Sequence, residues 1–255
     1  MRPPNDPHSP TLTDKVVLIT GGAHRIGAAT ARLLHRQGAN LVIHYRNSRT
    51  AALALQQSLQ AERADSVMLI QADLLHIERF GALVREARDA WGRLDVLINN
   101  ASTFYPTPIG QIEARHWDDL IGSNLKAPLF LSQAAAPALA AQRGCIVNIV
   151  DIHADRPLRE HPVYSVAKAG LVMLTKALAG ELGPEIRVNA IAPGAILWPE
   201  NGMDEVTKQR IVSRTFLKRQ GSANDIAAAA LFLIRDASYC SGHILTVDGG
   251  RSLHA

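Results

Sequence analysis

The chain has 255 residues, 47% of them hydrophobic and 20% charged, and a formal net charge of +4. That balance suits one full-sized core, and the basic residues neither form runs nor interleave with aromatics, which speaks against a nucleic-acid partner. The two cysteines, Cys145 and Cys240, have no metal-ligand spacing and form no disulfide framework, so no metal is expected.

Residues 1–13, rich in proline and polar groups, read as an irregular arm. No secretory pattern opens the chain, and no stretch approaches the roughly 18 uninterrupted apolar residues of a membrane helix, so a cytoplasmic chain without a membrane partner is expected. From Lys15 onward, short apolar runs alternate with periodic segments. Lys15–Thr20, Asn40–Tyr45, Ser66–Gln71, Leu94–Ile98, Cys145–Val150, Arg187–Ile191 and Ile244–Val247 are rich in Val, Ile and Leu and bounded by Gly, Asn or Asp, as buried strands are. Arg25–Gln37, Arg49–Arg63, Ile77–Ala90 and Ala223–Arg235 have helical periodicity. Strand-helix alternation predicts an α/β fold: a doubly wound, mostly parallel seven-stranded sheet of Rossmann type, in a single domain over residues 14–255. The least regular stretch, about residues 193–219, follows a strand and is expected to cover the substrate site.

The first strand runs directly into Gly21-Gly22-Ala23-His24-Arg25-Ile26-Gly27 and then a helix. Glycines in that place let the backbone turn sharply beside a pyrophosphate held at the helix N-terminus. The second strand ends His44-Tyr45-Arg46-Asn47-Ser48, where an NAD site would place an acidic residue. No Asp or Glu occurs between Asp14 and Glu62. Arg46, Asn47 and Ser48 can instead hold a 2′-phosphate by charge-assisted hydrogen bonds, so NADPH is the expected cofactor. Farther on, Tyr164 and Lys168 stand four residues apart on one helical face, where an ammonium lowers a phenol's pKa and makes it a usable acid.

With Thr20–Gly27, Ala72-Asp73-Leu74, Asn99-Asn100-Ala101, Asn124, Tyr164/Lys168 and Pro193-Gly194 in this order, the chain resembles the short-chain dehydrogenase/reductase family nearly from end to end. The resemblance implies that Tyr164 donates a proton, that Lys168 holds the nicotinamide ribose and tunes Tyr164, and that Asn124 supports a water leading to Lys168. It implies a cofactor site of Gly21, Arg25, Ile26, Gly27, His44 to Ser48, Asp73 at the adenine, Leu74, Asn100 and Ala101 at the ribose, Ser102, Tyr164, Lys168, Pro193 and Gly194. It also implies a homotetramer, with helices around 117–141 and 162–182 at the interface.

Departures from the family's pattern narrow the substrate. Where the family has a serine thirteen residues before the tyrosine, this chain has Asp151. A carboxylate there would repel a developing alkoxide, whereas a carboxylic acid suits a ring nitrogen that must gain a proton. Arg25 replaces a common glycine, and Phe104 follows the cofactor-binding Asn100-Ala101, placed to stack a flat heterocycle against the nicotinamide. Together Arg25, His44-Tyr45, Ser102, Phe104 and Asp151 resemble the pteridine reductase branch, which implies reduction of a dihydropterin, or of an oxidised pterin or folate, with Arg25, Ser102, Phe104, Asp151 and Tyr164 at the substrate. The segment 196–200 and the Asp248-Gly249-Gly250-Arg251 end resemble bacterial dihydromonapterin reductases. Asp151 as a simple loop cap, a carbonyl reductase acting on another substrate such as a 3-oxoacyl thioester, and a sensor that binds NADPH without turnover remain the alternatives.

Overall fold

The computed structural model describes residues 11–198 and 202–253. Most of the predicted arm, the Pro199-Glu200 part of the segment noted above and the last two residues lie outside the described residues. Seven parallel strands form one sheet in the order β3-β2-β1-β4-β5-β6-β7. They are β1 Val16–Ile19, β2 Asn40–Tyr45, β3 Val67–Gln71, β4 Val96–Asn99, β5 Cys145–Ile149, β6 Arg187–Pro193 and β7 Ile244–Val247. The predicted strands are all present, with bounds that agree to within two residues. β1, β4 and β5 are buried throughout, as central strands covered on both faces must be. β4 starts after Asp95, whose carboxylate bonds the Val16 N–H at 3.0 Å, Lys15 Nζ at 3.0 Å and the Arg93 guanidinium at 2.7 and 2.8 Å. That part-buried ion cluster pins the N-terminal ends of β1 and β4 together.

The helices are α1 Arg25–Arg36, α2 Arg49–Glu62, α3 Phe80–Asp89, α4 Ala114–Ile121, α5 Ala127–Ala140, α6 Pro162–Leu182, α7 Glu205–Ser213 and α8 Ala223–Leu231. One core cluster lies between the sheet and α1, α2 and α8, with Val17, Ile19, Leu34, Ile43 and Ile226 all buried. Another packs Leu18, Phe80, Leu97, Leu131 and Ile146 on the opposite face. The strand order reverses between β1 and β4, so the C-terminal ends of these strands open the crevice where such sheets bind ligands.

Three expectations need adjustment. The stretch 193–219 is not irregular throughout, because it holds α7, capped by the Asp204 side chain, which accepts the Thr207 N–H at 2.8 Å. The helix expected around 117–141 is interrupted by a π turn, Gly122–Lys126, between α4 and α5. By length and composition α6 would also qualify as a membrane span. Its apolarity has another use here, since Val163, Ala167, Leu171 and Thr175 are buried in the protein and the helix packs against β6.

Candidate active site

The loop after β1 is shaped by close approach. Gly21 has φ +59°, and a Cβ on it would stand 2.9 Å from Ala101 Cα. A Cβ on Gly27 would stand 2.5 Å from Gly21 O and 2.8 Å from the Asn100 amide nitrogen. Both positions exclude a side chain, and they bring the N-terminus of α1 against the ends of β1 and β4. Arg25, at the first turn of α1, has φ +51°, in the left-handed region where glycine is unstrained and an arginine is not. This explains why glycine is the family's usual residue there. The Arg25 guanidinium reaches Trp198 O at 3.3 Å.

Several residues expected at the cofactor also hold the loop in shape. His44 is buried, with its Nδ1 accepting the Gly21 N–H at 3.2 Å and its other ring nitrogen 3.0 Å from Ala72 O. The ring thereby ties the ends of β1, β2 and β3. Burial, foremost, pushes its pKa below the ordinary value and keeps it neutral, as an acceptor nitrogen requires. Tyr45 is buried against Ala23 and Ala52. The Asn100 amide donates to Thr20 O at 2.9 Å and Gly21 O at 3.0 Å, so its side chain is engaged by the loop. Leu74 is buried, Asp73 Oδ1 accepts the Leu75 N–H, and Gly194 is pressed against Asp248, with its N–H on Val247 O at 3.0 Å. Arg46 and Asn47 are exposed at the end of β2, and Ser48 caps α2 by position without a side-chain hydrogen bond. A dinucleotide fits this rim: a close-packed glycine turn at a helix N-terminus, with a basic, acid-free strand end beside it.

Asp151 and Tyr164 meet as expected, since β5 delivers the first and α6 the second to the same rim. Tyr164 Oη donates to Asp151 Oδ2 at 2.8 Å, and Asp151 Oδ1 accepts the His153 N–H at 2.9 Å. Asp151 therefore does cap a short turn, Ile152–Ala154, while its second oxygen faces the phenol. The expected tuning of Tyr164 is reversed in this arrangement. Its pKa lies well above 10, raised by burial first and then by the charge and hydrogen bond of Asp151, with a Ser102 hydrogen bond opposing. Lys168 stands over the ring, 5.6 Å from its centroid, and donates to Ile149 O at 3.0 Å. Burial lowers its own pKa to about 8, and the Asp151 charge offsets part of that shift.

Asn124 is likewise held by bonds within the protein. It sits in the π turn with its carbonyl accepting the Ser102 hydroxyl at 2.7 Å and its amide donating to Thr103 O and Leu120 O, each at 2.9 Å. It thus holds Ser102, which stands beside Tyr164. Phe104, 51% exposed, meets the Tyr164 ring edge-on with centroids 4.8 Å apart. His161, which gave no signal in the sequence beyond preceding Pro162, stacks on Phe104 at 4.7 Å with planes 13° apart. A phenol, a carboxyl group, a hydroxyl and an exposed aromatic face thus converge beside a nucleotide-binding turn, an arrangement able to hold a flat polar molecule and pass it a proton.

Comparison with known proteins agrees with that chemistry. A family model described as enoyl-(acyl carrier protein) reductase matches residues 21–252. Pteridine reductase 1 of Leishmania tarentolae is 35% identical, over 94% of this chain and 97% of its own length. A protein of Rhizobium meliloti named as a probable galactose dehydrogenase is 38% identical over 94% and 96%. The 3-oxoacyl-[acyl-carrier-protein] reductase FabG of Staphylococcus aureus is 33% identical over 92% and 97%. Matched over almost its whole length, and with the sheet, turn and Tyr164/Lys168 pair in their places, the chain belongs to the short-chain dehydrogenase/reductase family of NAD(P)H-binding oxidoreductases.

Proposed function

We propose that this protein is an NADPH-dependent pterin reductase, converting a dihydropterin to the tetrahydro form, and that an oxidised pterin or folate also fits its site. The observation that carries the reading is the 2.8 Å hydrogen bond between Tyr164 and Asp151. A carboxyl group bonded to the proton-donating phenol is a poor neighbour for a developing alkoxide and a good one for a ring nitrogen gaining a proton. Phe104 supports it, because an exposed aromatic face beside Tyr164 offers a flat heterocycle a stacking partner. The likeness to Pteridine reductase 1 supports it too, and the similar likeness to FabG makes a 3-oxoacyl thioester the second reading.

When bound, the reduced nicotinamide supplies the hydride. The residues of this chain do the rest. Asp151 and Tyr164 form a pair able to hold a proton at the substrate's edge, and Ser102, beside the same phenol, donates its hydroxyl to Asn124. Lys168, buried and cationic below about pH 8, places a positive charge over the phenol ring. Arg25 and Ser102 are the polar groups for the pterin's edge, and Arg46 with Asn47 and Ser48 favours a cofactor carrying a 2′-phosphate. The strained backbone of Arg25 is consistent with a residue kept for its side chain.

We also propose self-association into a tetramer through α5 and α6, where Leu129, Val166 and Met173 leave apolar surface exposed. Sedimentation showing only monomer would refute it. The function itself is tested by following NADPH absorbance with dihydrobiopterin, folic acid and acetoacetyl thioester in parallel. Turnover of the pterin at least tenfold above the thioester is expected, and the reverse order would establish the second reading.

A further inference from the structure

We propose that Arg251, on the C-terminal turn, is a substrate-binding residue that takes a carboxylate carried by the substrate, with Arg214 as its second cation. This rests on the pterin reading only for the identity of the ring beside it. The sheet's topology brings the turn to the site. β5, β6 and β7 are neighbours in register, with Ile149 opposite Ile191 and Pro193 opposite Val247, so the chain leaves β7 on the same rim from which Asp151 leaves β5. Gly249 and Gly250, at φ +64° and +82°, then reverse it. The reversal is held fast: Asp248 accepts the Gly250 and Ser252 N–H groups at 2.8 and 2.6 Å, and Gly249 O accepts the N–H groups of Phe216 and Leu217 at 2.8 and 3.1 Å. This last pair of bonds fastens the turn to the segment after α7, which brings Arg214.

Among the described residues, the turn leaves one group without hydrogen-bond partners. Arg251 is partly buried, and its pKa is lowered, by desolvation first, with Arg214 adding to the shift and the charges of Asp151 and Asp248 opposing it. The Asp248 carboxylate is already spent on backbone N–H groups, and Asp151 on Tyr164 and His153. Among the described residues the Arg251 guanidinium makes no hydrogen bond or ion pair. A partly desolvated guanidinium whose N–H groups lack acceptors is costly until acceptors reach it, and a carboxylate matches its planar fork. Its nearness to Asp151 places that anion on the substrate side of the site. A flat ring bearing an acidic tail, of which folate is one, meets this requirement better than a ring with an uncharged side chain.

The test compares binding to the NADP⁺-loaded protein by calorimetry, using folic acid, biopterin and p-aminobenzoyl-glutamate. Arg251→Gln is expected to lower the folate-to-biopterin affinity ratio at least tenfold and to weaken p-aminobenzoyl-glutamate by a similar factor. Arg251→Lys should fall between, and Arg214→Gln should produce a smaller loss. A ratio within twofold of the wild type would overturn the proposal, as would a fall shared equally by biopterin, which would assign Arg251 to Asp151 alone. If the pterin reading fails, biopterin does not bind the wild type, and p-aminobenzoyl-glutamate decides by itself. Its loss in Arg251→Gln then upholds the anion site, and its retention, or its failure to bind the wild type, overturns it.

Discussion

Replacing Asp151 with Asn removes an acid while keeping the side chain's outline. One oxygen of Asp151 holds the His153 N–H at 2.9 Å and the other accepts the Tyr164 hydroxyl at 2.8 Å. An asparagine can keep its carbonyl on His153, so the turn survives, and its NH₂ then faces the phenol with no proton to give. The expected loss in pterin turnover is that of a general acid, roughly 10²–10⁴, equivalent to about 3–5 kcal/mol of barrier. A second effect follows at Tyr164, whose pKa is raised by burial, by the charge of Asp151 and by its hydrogen bond. The variant lacks the latter two, so the phenol loses its proton at lower pH than in the wild type. Since the acid form is the active one, the alkaline limb of kcat against pH should move down. The assay is turnover of dihydrobiopterin from pH 5 to 10 with NADPH saturating, beside Asp151→Ser, which should gain activity on a diketone. Full pterin turnover by Asp151→Asn would make Asp151 a loop cap and leave the pterin reading resting on Phe104 and Arg25.

The unaltered enzyme should prefer NADPH to NADH by more than tenfold in kcat/KM, about 1.4 kcal/mol, and Arg46→Asp should erase the preference; equal use of both cofactors by the wild type refutes the 2′-phosphate reading. Phe104→Ala should raise KM for a pterin by roughly 0.5–1.5 kcal/mol beyond the lost contact area, measured by steady-state kinetics, whereas a collapse of NADPH affinity would make Phe104 structural. Lys168→Met should abolish turnover and yet resist urea better. The gap between about 8 and the ordinary 10.5 costs the folded state about 3 kcal/mol at pH 7, and loss of the bond to Ile149 O returns about 1 of it. Because the unfolded chain binds the extra proton between those pH values, wild-type stability rises through that window and the variant's advantage should shrink above pH 8. No gain at pH 7 would mean that Lys168 is not held at the cost its burial implies.

The sheet was readable because its central strands are buried on both faces and so appear as unbroken Val, Ile and Leu runs. α7 was not, for the opposite reason: it buries none of its residues and leaves no periodic apolar trace. At the site, Tyr164, Lys168, Asp151 and the glycine turn were legible because fixed spacings on a helix or after a strand dictate where they fall. Position alone did not reveal what the side chains do. His44 and Asn100 stand among cofactor-contacting positions, but buried polar groups of the loop, the Gly21 N–H and the Thr20 and Gly21 carbonyls, needed partners and claimed them. The Ser102–Asn124 bond joins residues 22 apart across a loop and a π turn, and the stacking of His161 on Phe104 spans a still longer separation. Neither leaves a pattern in one dimension.

The π turn at 122–126 also fixes the rotational phase of the rod it interrupts. An α-helix advances about 100° per residue, and a wider turn sets everything after it at a different angle from everything before it. Before the turn, α4 buries Leu120 and leaves Trp117 half exposed; beyond it, α5 lays Leu131, Ala135 and Leu139 against the sheet. Asn124 stands at the junction, fastened to Leu120 O on one side and to Ser102 and Thr103 on the other. The angular offset that lets α4 and α5 each face its own neighbours is therefore the same offset that aims Asn124 at Ser102. Removing one residue from the turn would have to rotate either the seam on the sheet or the asparagine. Packing of the core and geometry of the site are mechanically one variable at this point of the chain.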